Sequence, residues 1–190
     1  SGNTLIYQIY DSNDSSMRRK VFKKTGNADP ERIYGGDWCC YAHVMLDEKI
    51  YAISDYDIYE LIDGEYVNRI EIYNNRLNAR KTIVYNNEIY SIKSESNTIV
   101  KLKISEEQYL DADGNSMGDM FYYATFEPLI TEDKQIQYFN FDSIGNLVTQ
   151  NSEYSNGGTS YELSEYQIIP QVTILAGQTS GSLTLNGIED

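Results

Sequence analysis

A chain of 190 residues with 15 lysines and arginines against 29 aspartates and glutamates carries a formal net charge of −14 at pH 7. That charge excludes nucleic acid and anionic membrane as natural partners, and a 41% hydrophobic content excludes a disordered chain while leaving room for one domain or two small ones. Eighteen tyrosines beside three prolines and four methionines favour strands and exclude a helix bundle.

The chain opens Ser1-Gly2-Asn3, with no basic and apolar leader, and it holds no apolar stretch near the ~20 residues needed to cross a bilayer. The expectation is a protein without direct membrane insertion, read as a mature or trimmed piece of something longer. The first predicted strand is Ile6-Tyr7-Gln8-Ile9, followed by a polar hairpin that carries the sequon Asn13-Asp14-Ser15 and the run Arg18-Arg19-Lys20. A strand over 17–22 comes next. Cys39 and Cys40 are adjacent, so on an extended strand they point to opposite faces and a disulfide between them would be strained. His43 is the only histidine, so a zinc site would have to borrow carboxylates.

The opening tetrapeptide recurs as Ile50-Tyr51-Ala52-Ile53 and Ile89-Tyr90-Ser91-Ile92, at offsets of 44 and 39 residues. Both later copies follow an apolar segment and a tight polar pair: Val44-Met45-Leu46 with Asp47-Glu48, and Ile83-Val84-Tyr85 with Asn86-Asn87. That pattern predicts a β-hairpin in each. Third strands are expected at 58–62 and 98–102, and Asp63-Gly64 turns the second copy into a fourth strand at 66–73. Little helix is expected, and the segment 104–109 is the one candidate for an exception, a single helical turn. The four isoleucines Ile50, Ile53, Ile89 and Ile92 are expected to be buried at equivalent positions.

Four short antiparallel strands about every 40 residues is the layout of a β-propeller blade, and the stretch 1–104 resembles consecutive blades. Each blade leaves two apolar faces that only its neighbours can cover. Three such units do not close a ring. The remaining residues complete it, or the chain is part of a larger propeller, or the units form an open array.

The tail reads differently. Strands are expected at 134–141, 172–174 and 182–185, with Gly-, Asn- and Ser-rich connections. The phrases Gly158-Thr-Ser-Tyr161-Glu-Leu163, Ala176-Gly-Gln-Thr-Ser-Gly181 and Ile188-Glu-Asp190 resemble the second half of a Calx-beta domain. They are also similar to the sandwich domain of Bacteroidetes surface glycan-binding lipoproteins. The resemblance covers 105–190 and implies an immunoglobulin-like sandwich in an extracellular or cell-surface protein. The last strand of such a sandwich is missing from the match.

Two calcium sites are candidates. Asp111, Asp113, Asn115 and Asp119 place oxygen side chains at relative positions 1, 3, 5 and 9 of a calcium loop, although Ser116 and Tyr122 replace its expected Gly and bidentate Glu. The Calx-beta resemblance implies a second set: Glu106 or Glu107, Glu162, and Glu189 with Asp190, with Ser160 standing where that family has an Asp. For carbohydrate, which stacks its apolar face on exposed rings, the candidates are Trp38 with Tyr34 and Tyr41, then Tyr51 with Tyr56 and Tyr59, and Tyr122 with Tyr123. A catalytic triad of His43 with Asp37 or Asp47 and a distant Ser lacks the Gly-x-Ser-x-Gly elbow.

Together these residues predict an all-β protein: blade-like antiparallel repeats over 1–104, then an immunoglobulin-like sandwich over 105–190. Its expected role is a non-catalytic binding or adhesion module for a glycan or protein. The net charge directs the choice toward neutral glycans or basic protein patches. The alternatives are a secreted glycan-active hydrolase or lyase and a structural spacer.

Overall fold

A computed structural model describes residues 4–13, 19–36, 40–94, 96–110, 113, 116–155 and 158–168. The described chain is all-β, built as four antiparallel sheets in which every strand pairs with its neighbours in sequence. The first sheet holds β1 (Thr4–Tyr10), β2 (Arg19–Thr25) and β3 (Glu31–Gly36). The second holds β4 (Ala42–Leu46), β5 (Lys49–Ile53), β6 (Asp57–Ile62) and β7 (Glu65–Glu71). The third holds β8 (Leu77–Tyr85), β9 (Glu88–Lys93), β10 (Thr98–Leu110) and β11 (Ser116–Thr131). The fourth holds β12 (Gln135–Phe141), β13 (Leu147–Ser155) and β14 (Gly158–Tyr166). A single 3-10 turn at Tyr73–Asn75 is the sole helical element among the described residues.

Turn chemistry sets these registers. Asp47 and Glu48 lie at φ 48° and 66°, and Asn86 and Asn87 at φ 49° and 59°. Two consecutive left-handed residues are what a two-residue hairpin needs to match the twist of its strands, and Asn and Asp tolerate that region best. The Asp63-Gly64 pair, at φ 49° and 84°, repeats the device between β6 and β7.

The sheets stack in chain order along their first strands: β1 touches β4, β4 touches β8, and β8 touches β12. The main core lies between the second and third sheets and is filled by Val44, Tyr51, Ile53, Ile58, Leu77, Ile89 and Leu102. A second core, between the third and fourth sheets, holds Tyr90, Ile92, Ile99, Ile136, Phe139 and Leu147. The second and third copies of the tetrapeptide serve these interfaces alike. Tyr51 and Ile53 face forward into the main core, as Tyr90 and Ile92 face forward into the second. Ala52 and Ile89 face back toward the preceding sheet. Period-2 alternation lets one strand fill two interfaces. Ile53, Ile89 and Ile92 are buried as expected, whereas Ile50 is only half-buried.

The first copy breaks the pattern. Ile6-Tyr7-Gln8-Ile9 lies on β1, the first strand of its sheet rather than the second. Gln8 pairs with fully buried Val21, which pairs with Tyr34. Tyr34 in turn stacks on Tyr66 of the second sheet. The inward face is therefore that of Ile6 and Gln8, and Ile9 is 46% exposed. A shift of one residue exchanges the faces of a strand, so the sequence match does not carry over to an equivalent position.

At 104–109, the one candidate for a helical turn, the chain continues as β10. The strand runs through the 104/105 boundary and stays paired with β11 as far as Leu110 with Ser116. Apolar alternation drives this, because Leu102 and Ile104 of β10 and Ala124 and Phe126 of β11 pack on the main core. Expected strands at 172–174 and 182–185 lie outside the described residues.

Candidate functional site: a cleft at the β8 bulge

Strict alternation along β8 would place Leu77, Ala79, Lys81 and Ile83 on one face. Leu77 and Ala79 are fully buried in the main core, and an ammonium on that same face would be desolvated at a cost of several kcal/mol. The strand instead bulges. Asn78 pairs with Ile92 and Ile83 with Tyr90, so residues 79–82 stand opposite Ser91 alone. Beyond the bulge the strand has turned over, and Ile83 and Tyr85 pack on the second core. A bulge re-aims side chains, and here it brings the adjacent Arg80 and Lys81 to a single cleft.

Hydrogen bonds hold that geometry. The buried Ala79 N–H donates to Asp55 Oδ1 at 3.1 Å, and the Thr82 and Ser91 hydroxyls are 3.0 Å apart. Asp55 is presented by a turn in which Ser54 Oγ accepts from the N–H groups of Tyr56 and Asp57 at 3.2 and 2.8 Å. Ser94 Oγ donates to the Leu77 carbonyl at 3.2 Å. Lys81 Nζ donates to the Ile136 carbonyl of β12 at 2.8 Å, linking the third sheet to the fourth.

The resulting cleft, of about 520 Å³, is lined by Tyr41, Asp55, Asn78, Arg80, Lys81, Ser94 and Tyr138. The Arg80 guanidinium lies 4.7 Å from the Tyr41 ring centroid, and that of Arg19 lies 5.6 Å from the same ring. Lys81 Nζ lies 5.8 Å from the ring centroid of Tyr138, a residue that is 68% exposed. Some cations elsewhere are neutralised: Lys49 by Glu60 and Glu106, Arg69 by Asp57 and Glu71, Lys101 by Glu88, and Lys134 by Glu153 and Glu162. Among the described residues Arg80 and Lys81 form no ion pair. Burial holds the Lys81 ammonium below its usual pKa range by stripping part of its hydration.

Of the aromatic residues expected to hold a ligand, Tyr41 lies in this cleft and Tyr34 does not. Tyr34 stacks on Tyr66 at 4.4 Å, in a cluster between the first and second sheets that also includes Tyr59 and buried Cys40. Trp38 lies outside the described residues. His43 Nε2 is 2.9 Å from the Tyr66 hydroxyl, and burial lowers the imidazole pKa to about 4. Desolvation, the largest cause, also pushes the Tyr66 phenol up. Asp47 bonds to Asn87, so His43 and Asp47 have different partners. Tyr51 and Tyr59 are core residues, and Tyr56 lies under Arg76, whose guanidinium is 4.4 Å from its ring. Tyr123 donates to Glu107 at 2.7 Å and stacks on Phe121 on the outer strand β11.

The calcium candidates fall partly outside the described residues. Asp111, Asn115, Glu189 and Asp190 lie outside the described residues; Asp113 sits in an exposed turn, and Asp119 is on β11. Glu162 accepts from Lys134 at 2.7 Å, while Glu106 pairs with Lys49 at 3.6 Å from a different sheet.

Sequence reasoning missed Asp55, Asn78, Arg80, Lys81, Ser94 and Tyr138. One signal was present: Lys81 occupies an inward position of an otherwise apolar alternation, and such a conflict marks a bulge. Comparison with family models, curated proteins and solved structures finds no match for this chain.

Proposed function

We propose that this chain is a glycan-binding module of the cell surface or extracellular space, with the cleft at the β8 bulge as its ligand site. The observation that carries the reading is the convergence of an exposed ring, Tyr138, with Asn78, Ser94, Arg80 and Lys81 in one open cleft. A sugar needs such a combination: an aromatic face for its C–H surface and a few placed polar groups for its hydroxyls. The resemblance of the tail to surface-protein sandwiches supports the location.

The four sheets are read as blade-like units of a propeller-type array. Their stacking along first strands and the matched facing of the second and third tetrapeptides support this. Leu5 on the outer face of the first sheet, and Tyr161 and Leu163 on the fourth, are more than half exposed. In a larger protein these faces would be covered by further units.

The test is a glycan array run beside a panel of hydrolase and lyase substrates. Binding that is lost on Tyr138→Ala, with melting unchanged, supports the reading. Steady turnover abolished by changing one carboxylate would replace it with an enzyme, and silence in every assay would leave a spacer.

A further inference from the structure

Resting on that reading, we propose that the ligand is an acidic glycan, with a uronate carboxylate seated between Arg80 and Lys81. The net charge of −14 points to neutral partners, but the field inside a cleft is set by the groups within a Debye length of about 8 Å. Two cations that are neighbours in sequence would diverge on a regular strand; the bulge spends backbone pairing on bringing them together. Neither forms an ion pair among the described residues, so both charges on this cleft are available to an incoming acid.

The positions of the groups narrow the anion. Arg80 lies over the Tyr41 ring at 4.7 Å, and its forked N–H groups suit a planar, bidentate acceptor such as a carboxylate. Lys81 is tethered by its hydrogen bond to Ile136 at 2.8 Å and retains further N–H donors for a second acceptor. Asp55 on the same wall, within a strongly anionic molecule, opposes densely charged polyanions such as polyphosphate. A simple anion would have no use for the exposed Tyr138 ring, Asn78 and Ser94. A pyranose bearing one carboxylate uses all of them: the ring stacks, the amide and hydroxyl meet sugar hydroxyls, and the cations take the acid.

The experiment compares an oligouronate with the same oligosaccharide after reduction of its carboxyl groups, by calorimetric titration at about 50 and 500 mM NaCl. A sulfated oligosaccharide is the third ligand. The expected result is oligouronate binding roughly tenfold or more tighter than the reduced form, weakened by salt, with the preference abolished in Arg80→Gln. Arg80 is exposed and donates no hydrogen bond among the described residues, so that variant is expected to fold, which its melting curve checks. Lys81→Gln is the second variant. If the reduced oligosaccharide binds as well as the uronate, or Arg80→Gln keeps the preference, the acidic ligand is excluded while the glycan reading stands. Preferential binding of the sulfated ligand overturns the carboxylate. Failure of every glycan on the array overturns both readings together.

Discussion

Asn87 Nδ2 donates to Asp47 Oδ1 at 2.6 Å, joining the tips of two hairpins that occupy the same place in consecutive sheets. The turn residues therefore do two things: they set the register within each hairpin and link the second sheet to the third. Backbone conformation dominates the energetics, because both turns need left-handed residues, while the linking bond is exposed to water.

Asn86→Val places a β-branched residue at φ 49° and is expected to destabilise by about 1–2 kcal/mol, whereas Asn86→Gly costs little. Asp47→Ala, which removes only the exposed hydrogen bond, is expected to cost under about 1 kcal/mol. Urea titrations of the three variants check the order.

Ile53→Ala and Ile92→Ala each open a cavity in a close-packed interior and are each expected to cost about 2–4 kcal/mol. Their side chains belong to different cores, so the double mutant is expected to be additive within about 0.5 kcal/mol. A larger coupling in denaturant titration would mean that the two cores unfold as one packed unit at these residues.

Asp55→Ala leaves the buried Ala79 N–H without its acceptor and is expected to cost about 1–3 kcal/mol. Asp55→Asn keeps a carbonyl oxygen at that position and is expected to recover most of the loss. Equal destabilisation by both, measured by thermal melting, would assign the effect to charge rather than to the bulge.

His43 has a folded-state pKa of about 4, lowered from 6.5 by burial. Between those values the unfolded chain binds a proton that the folded chain does not, so this contribution is fully present above pH 6.5 and declines as the pH falls toward 4. The loss totals about 3 kcal/mol. His43→Phe is expected to flatten the pH dependence of stability over that interval by up to one proton. Parallel curves for the two proteins would mean that the imidazole is hydrated in the folded state.

The order of residues alone determined the strand content, the hairpin turns at Asp47-Glu48 and Asn86-Asn87, and the burial of Ile53, Ile89 and Ile92. These are local matters: turn residues set φ, and alternation selects the apolar face. Only the tertiary structure decided which way the first tetrapeptide faces, since Ile6 and Ile9 are equally apolar and the packing of Tyr34 on Tyr66 makes the choice. It also decided that β10 passes through 104/105, because that strand gains a partner in β11. The cleft belongs mainly to this second level, although Tyr41 and the inward position of Lys81 were legible in the sequence. Tyr41, Asp55, Arg80 and Tyr138 come from four separate stretches of chain, brought to one place by the stacking of the sheets, with the bulge aiming Arg80 and Lys81 into the cleft.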